Sequence, residues 1–381
     1  MKTIPKYEDI LDLDKLKEVY HEIKLSSKHK EKFIRFELFS IGNFISILMK
    51  LKSQNYHHGK YNIFLISDPK YRVIMSENLE DKIINHLISK NFLFPVLEPK
   101  LISSNIATRK NKGTKAGIYY MKKYINKLKQ NHDQFYVLKC DIYKYFYSID
   151  HTLLLQKLAK EFDNEKILKL LTEIIKSTDQ NYITQSIQTQ ISDEYLKILN
   201  SHQSLKEKKN KITSLNKIPV HQLGKGLPIG NMSSQILAIY YLNELDHFIK
   251  EKLKVKYYIR YMDDFILLSN DKEYLEYCLS QIKKELSKLK LQLNNKTEIS
   301  EIHHGINFLG YRFILKNKKL IIKLGKNTKK KLIRKLKNTS VTEKEFILRQ
   351  YNGILKHAHS SGLKYHLKGN NKNKKMNTST C

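Results

Sequence analysis

Two adjacent carboxylates, Asp263 and Asp264, sit inside an apolar and aromatic run, YYIRYMDDFILL, at residues 257–268. Residues 257–261 and 265–268 read as the two strands of a β-hairpin with the acids at its tip. Neighbouring carboxylates repel one another and resist burial unless a cation neutralises them, and a divalent metal would do so. Aspartate is also an ordinary turn residue, and Tyr-x-Asp-Asp arises by chance at roughly the per-cent level in a chain of this length. The pair therefore acquires meaning only with a third acid on another strand.

Residues 135–151, FYVLKCDIYKYFYSIDH, supply one. Tyr136, Val137, Leu138 and Cys140 predict a largely buried strand running into Asp141, where an unpaired carboxylate is costly and a cation is expected nearby. Phe146 follows five residues on, and Ser148 with Asp150 marks the N-cap of a helix. A capping role is the plainer reading of Asp141 taken alone. Together, Asp141, Asp263 and Asp264 are what two-metal phosphoryl transfer requires, with ions roughly 3.5 to 4 Å apart.

The elements that must position these acids follow from periodicity. Residues 1–50 read as helical packing without visible chemistry. Residues 61–76 read as two short strands around Asp68 and Pro69. Lys70 and Arg72 lie two apart and so share a side, where they either hold a triphosphate or face solvent. An apolar-periodic helix over 77–97 is expected to end at Pro95. Arg109, Lys110, Lys112 and Lys115 cluster about Gly113 and Thr114 ahead of another helix, an arrangement suited to phosphates. Residues 179–217 are polar and weakly periodic, and read as an extended connector, helical at most around residues 195–199.

Residues 224–249, GKGLPIGNMSSQILAIYYLNELDHFI, begin as a glycine-rich turn and continue as an amphipathic helix whose Ser233, Ser234 and Gln235 can cap it or face a base edge. A helix over 273–291 leads on to Lys296, and INFLGYRF at 306–313 reads as a strand pair or hairpin supporting the site from below. Residues 316–337 carry eleven Lys or Arg and no acid. Leu332, Ile333 and Leu336 give that segment one apolar face, so it reads as a basic amphipathic helix against a nucleic-acid backbone, with a membrane-surface or calmodulin-like helix as the lesser alternative.

Seventy Lys plus Arg against 37 Asp plus Glu leave a formal charge of +33, spread through the whole chain. Solubility needs a far smaller imbalance, so a polyanionic partner is expected. No run approaches the roughly 18 apolar residues that cross a bilayer, which excludes a membrane protein. Cys140, Cys278 and Cys381 are too few and too scattered for a disulfide framework or a zinc site, and MKTIPKYEDI lacks a signal-peptide core, so a reducing cytosol is expected.

With these residues in order, the chain strongly resembles reverse transcriptases. CDIYKYFYSID is similar to their motif A, GLPIGNMSSQ to motif B, YMDD to motif C, NNKTEI to motif D and INFLGYRF to motif E. PKYRVI and SSNIATRKNKGT look like their finger motifs, and residues 346–367 like their thumb. The resemblance spans about residues 60–367 in the family's order. It implies an α+β, right-hand polymerase: an N-terminal helical extension (1–58), fingers (59–134), a palm with an antiparallel sheet (135–315, with a fingers-type insertion at about 179–217), an α-helical thumb (316–367) and a disordered basic tail (368–381).

The same resemblance implies an RNA-directed DNA polymerase that uses dNTPs, an RNA template and a DNA or RNA primer. Two Mg2+ ions would be held by Asp141, Asp263 and Asp264 with the main-chain carbonyl of Ile142. Lys70, Arg72, Ile229, Gly230 and Gln235 would surround the incoming nucleotide. Phe146 would be the ring that excludes a ribose 2′-hydroxyl, and Lys296 the proton donor to pyrophosphate. Arg109, Lys112, Lys330, Lys331 and Arg334 would contact nucleic acid.

Motif B departs from most bacterial relatives, which carry Gln-Gly after Leu-Pro; here Ile229-Gly230-Asn231 follows and Ser234-Gln235 closes the motif. This form resembles the error-prone enzymes of diversity-generating retroelements, which copy a template-repeat RNA and imply a small basic accessory protein and a bacterial or phage-infected cytoplasm. A phage-defence, retron-like or unclassified bacterial reverse transcriptase is the alternative, and a non-catalytic RNA-binding protein a more distant one. Nothing after residue 367 has the length of a ribonuclease H, maturase or endonuclease domain, which weighs against an intron protein.

Overall fold

Asp12 starts the helical part of the chain: its carboxylate accepts from the main-chain N–H groups of Asp14 and Lys15 and so caps α1 (Leu13–Ser26). The computed structural model describes residues 5–359 apart from 29, 69 and 338; the basic tail, the end of the expected thumb and Cys381 lie outside the described residues. After α1 come α2 (Glu31–Glu37) and α3 (Ser40–Lys52), packed through Leu16, Tyr20, Phe33 and Phe44. The strands expected within 61–76 form an antiparallel hairpin, β1 (Asn62–Ile66) and β2 (Arg72–Ser76), with Ile66 opposite Arg72.

The helix expected to end at Pro95 instead runs through it. α4 (Leu79–Ile88) passes into a π-helical turn, Ser89–Leu93, and on into α5 (Phe94–Leu97), where Pro95 lies in the first turn. A proline there sacrifices no needed hydrogen bond, because the wider turn before it has already released the ladder. α6 (Thr114–Asn131) begins directly after Gly113, as expected. Its Gly117 admits the turn after residue 308 so closely that an added Cβ would lie 2.2 Å from Leu309 Cδ1 and 2.8 Å from Ile106 Cδ1. Gly117→Ala is expected to lower stability by about 1–3 kcal/mol through overpacking, despite alanine's better helix propensity; a urea titration with unchanged slope checks it.

The chain then forms β3 (Tyr136–Asp141), α7 (Tyr145–Ser148), α8 (His151–Ala159) and α9 (Glu165–Ile175). Asp150 caps α8 by accepting from Leu153 N–H, as the sequence suggested. The segment read as an extended connector is helical: α10 (Asn181–Leu199) and α11 (Leu205–Leu215) form a pair, the second begun by a Ser204/Glu207 capping box. Ile183, Ile187, Ile198 and Leu215 share a core with Tyr61, Ile63 and Val73 of the β1–β2 region. So few apolar anchors on a long polar helix explain its weak periodicity.

α12 (Met232–Tyr241) was expected to be amphipathic, yet nearly all of it is buried; α13 (Asn243–His247) continues it. The acidic hairpin forms as expected from β4 (Tyr257–Tyr261) and β5 (Asp264–Ser269), followed by α14 (Lys272–Lys288) and β6 (Glu298–Glu301). These strands build one antiparallel sheet in the order β4-β5-β3-β6. Leu138, Cys140, Tyr258, Phe265 and Leu267 pack on the side of α12 and α14, whereas Val137, Ile259, Ile266 and Leu268 pack with α6. Burial on both faces is why FILL reads as a continuous apolar run rather than an alternating one.

A second sheet, β7 (Ile306–Phe308), β8 (Tyr311–Lys316) and β9 (Lys319–Leu324), lies in the core shared with α6. Thus INFLGYRF is a hairpin, but the basic segment after it is not one helix: its first part is β9, and only α15 (Lys326–Lys337) is helical. Lys-rich ends mask the strand in KLIIKL. The apolar face of α15 closes on α16 (Val341–Leu355) through Leu332, Leu336 and Leu355. Lys331 of α15 reaches across to the β1–β2 turn, 2.7 Å from Asp68 Oδ2.

Candidate active site

Strand alternation places the acids. Asp141 and Asp264 are register partners across β3 and β5, and Lys139 lies opposite Ile266. Cross-strand partners stand about 4.5–5.5 Å apart at Cα and point to the same face, so Lys139, Asp141 and Asp264 share one side of the sheet end. Met262 takes a left-handed φ of 56° and turns the chain so that Asp263 projects at the tip beside them. The register thus brings the backbones of Asp141 and Asp264 together, with Asp263 adjacent in the turn.

Burial and mutual repulsion act together on these groups. The Asp264 carboxyl is pushed up to about 7, first by burial and then by the charges of Asp141 and Asp263, with Lys139 opposing. Asp263 is also raised, by burial and by Asp141, with Lys70 and Arg260 opposing. Lys139 Nζ lies 3.6 Å from Asp264 Oδ2 and donates to the Asn307 carbonyl at 2.7 Å, tying the acid to β7. Asp264 Oδ1 is buried without a hydrogen-bond partner among the described residues. Asp141 Oδ2 accepts from Asn294 Nδ2 at 3.0 Å, and its main-chain oxygen accepts from Asn294 N–H at 2.7 Å.

An acidic donor set with an orphaned buried oxygen fits a hard divalent cation such as Mg2+. Among the described residues, no three His, Cys, Asp or Glu side chains converge as ligands of one ion. Asp141 is drawn to Asn294 and Asp264 toward Lys139, which separates like charges, while the strand register already brings their backbones together. Ile142 pairs with Leu293 through bonds made by its neighbours, Asn294 N–H to Asp141 O and Tyr143 N–H to Gln292 O. Its own carbonyl stands outside that bridge.

The expected nucleotide-side residues lie on or beside β2, on α7, in the loop before α12 and on α12 itself. Lys70 is exposed beside β2, close enough for its charge to act on Asp263, and Arg72 opens β2. Phe146 is half-buried on α7, and its carbonyl accepts from Leu227 N–H at 2.8 Å. The Ile229 carbonyl accepts from Met75 N–H at 3.4 Å, while Gly230 has φ 135° and a Cβ there would meet Met75 O at 3.3 Å. Glycine lets this loop lie against β2. Ser233 and Ser234 are buried, so neither faces a base edge; Gln235 is exposed on the otherwise buried α12.

The remaining expectations separate. Lys296 is exposed, with its N–H donating to Asn294 Oδ1 at 3.2 Å. The Arg109 guanidinium is occupied within its own loop, donating to Glu98 and to the carbonyls of Ile102 and Asn105. Lys112 donates to the Ser103 carbonyl, and Lys330 and Arg334 lie exposed on α15. Sequence reasoning missed Lys139, Asn294 and Arg260. Lys139 was recoverable, because it stands two residues before Asp141 on the same strand; the other two depend on contacts between elements.

The family model described as "Reverse transcriptase (RNA-dependent DNA polymerase)" matches residues 52–313. Among solved structures, telomerase from Candida albicans in complex with a TWJ fragment of telomeric RNA is similar at 15% identity with a TM-score of 0.43, over 80% of this chain and 55% of that one. The chain thus spans little more than half the length of that solved relative. No curated protein matches.

Proposed function

We propose, from a chain that belongs to the reverse transcriptase (RNA-dependent DNA polymerase) family, that it extends a primer with deoxynucleotides on an RNA template at the shared end of β3 and β5. The α+β architecture is that of the right-hand polymerase fold, with the four-stranded sheet as its palm. The observation that carries the proposal is the pairing of Asp141 with Asp264 beside Asp263, with one buried carboxylate oxygen that has no hydrogen-bond partner among the described residues. Asp141, Asp263 and Asp264, with the Ile142 carbonyl, would hold Mg2+. Two such ions, when bound, lower the barrier to attack by the primer 3′-hydroxyl and neutralise charge on the phosphate and pyrophosphate.

The chain's own residues do the rest by position. Lys139 favours the ionised form of Asp264, and Asn294 fixes the orientation of Asp141. Lys70 and Arg72 meet the triphosphate, Phe146 meets the sugar, and Ile229, Gly230 and Gln235 line the base-pair side. Lys330 and Arg334 follow the nucleic-acid backbone, whereas Arg109 shapes the loop ahead of α6. A labelled primer annealed to RNA, with dNTPs and Mg2+, is expected to grow by template-directed addition; a well-folded preparation that leaves the primer unextended rejects the proposal.

In the finer reading, the enzyme belongs to a diversity-generating retroelement and copies its RNA with errors at adenines. Ile229 supports it: this residue borders a small cavity with Val73, Met75, Tyr147 and Pro228, at a position where most bacterial relatives carry an amide. An apolar group there forgoes hydrogen bonds that help to fix the nascent pair. Ile229→Gln is expected to reduce misincorporation opposite template adenine by roughly 2- to 10-fold, the worth of about one hydrogen bond. Sequenced cDNA reads the outcome, and an unchanged error spectrum detaches this loop from fidelity.

A further inference from the structure

On the face of β4 opposite the acids, a charged side chain is completely enclosed. Arg260 has no exposed surface. Its Nε donates to Asp246 Oδ1 at 2.7 Å and its Nη2 to Asp246 Oδ2 at 2.5 Å, a bidentate pair. The same guanidinium donates from Nη2 to the Ile239 carbonyl at 2.9 Å and from Nη1 to the Met262 carbonyl at 2.8 Å. Tyr258 OH donates to Asp246 Oδ1 at 2.6 Å, and Asn105 Nδ2 to Asp246 Oδ2 at 3.3 Å. The backbone of Arg260 is held as well, its N–H by Ser104 O and its carbonyl by Ile106 N–H.

Three pieces of chain therefore meet on one planar group, α12 at Ile239, α13 at Asp246 and the turn at Met262, while the loop at residues 104–106 holds the Arg260 backbone and Asp246. Met262 is the left-handed residue immediately before Asp263. A non-glycine residue in that conformation is uncommon and persists where its surroundings hold it. A buried ion pair is a poor source of stability compared with apolar packing of equal size, so its value lies in fixed geometry. Lysine, a single point charge without the fork, cannot reproduce these bonds together.

Resting on the polymerase reading above, we infer that Arg260, clamped by Asp246, is the positioning residue of the acidic turn. It holds the Met262 carbonyl so that Asp263 is presented to the metal site in register with α12, whose Gln235 faces the nucleotide side. It touches neither substrate nor metal. Its loss should therefore appear as weakened cation binding rather than as a loss of RNA affinity.

The test measures Mn2+ affinity by electron paramagnetic resonance in the absence of nucleotide, together with the Mg2+ concentration for half-maximal primer extension. Wild-type protein, Arg260→Lys, Asp246→Asn and the Asp263→Asn/Asp264→Asn double variant are compared. Asp246→Asn keeps shape and loosens the clamp, which covers the case in which Arg260→Lys does not fold. The expected result is Mn2+ affinity and Mg2+ midpoint each shifted about tenfold, as for lost outer-sphere support of a metal ligand. KM for dNTP and RNA affinity should stay within about threefold, and excess Mg2+ should restore much of kcat. Folded variants with a lower melting temperature but unchanged Mn2+ affinity and Mg2+ midpoint overturn the inference and leave a structural role. Wild-type protein that binds Mn2+ no better than the double variant overturns it together with the metal-site reading.

Discussion

Replacing Asp263 and Asp264 together by asparagine is expected to lower primer extension by at least about a thousandfold while leaving RNA affinity within about twofold. The size of the loss follows from removing the negative charge on which cation binding depends, in a partly buried site where electrostatics are strong. The substitution keeps shape, so folding should survive. In metal-free protein it should even improve. The Asp264 carboxyl titrates near 7 in the folded chain, well above its ordinary value, because burial and its acidic neighbours disfavour the charge. A raised carboxyl pKa means that the folded state holds the proton longer, so stability is full below the unfolded pKa of about 4 and declines as pH rises through about 7.

Wild-type protein without metal is therefore expected to melt at a lower temperature at pH 8 than at pH 5, with Asp264→Asn flattening the trend. The difference is on the order of 3 kcal/mol at most. Added Mg2+ should restore the wild-type stability at pH 8 and leave the double variant unmoved. Primer extension within tenfold of wild type after the double substitution would remove these acids from the chemistry altogether.

Phe146→Ala is the second large effect: discrimination against ribonucleotides should fall by about 10- to 100-fold, mostly through a higher kcat/KM for rNTP. The ring sits on α7 five residues beyond Asp141, with its own carbonyl bonded to the loop that leads to Ile229 and Gly230. Its backbone is thus fixed to the loop before α12, and a ring so held can reject one oxygen by contact. A space-filling barrier costs a competitor roughly 1–3 kcal/mol, which sets the stated range. Side-by-side dNTP and rNTP kinetics on one RNA template test it; unchanged sugar selection would assign Phe146 to packing alone, where it adjoins the main core.

The acids were legible because two chemical oddities coincide: carboxylates that interrupt apolar strands, and a sheet covered on both faces. Their pairing of Asp141 with Asp264 needed only that β3 and β5 be neighbours. Arg260 was not legible, since an arginine inside YYIRY looks like an edge-strand cation until Asp246 on α13 is placed against it. Asn294 reads as a loop residue for the same reason. α10 was missed because a polar helix with widely spaced isoleucines gives little periodic signal, and the π-helical turn hid the continuation through Pro95. β9 was lost in a run of lysines whose charge, rather than its alternation, caught the eye.

One surface contact links two distant parts of the chain. Lys331 on α15 holds Asp68 in the β1–β2 turn, whose neighbour Lys70 acts on Asp263, so one ion pair ties α15 to the segment that carries Lys70. An exposed pair of this kind contributes at most about 1 kcal/mol and weakens with salt. A contact fastened so lightly is a clasp rather than a weld, and α15 is expected to part from the β1–β2 turn as ionic strength rises.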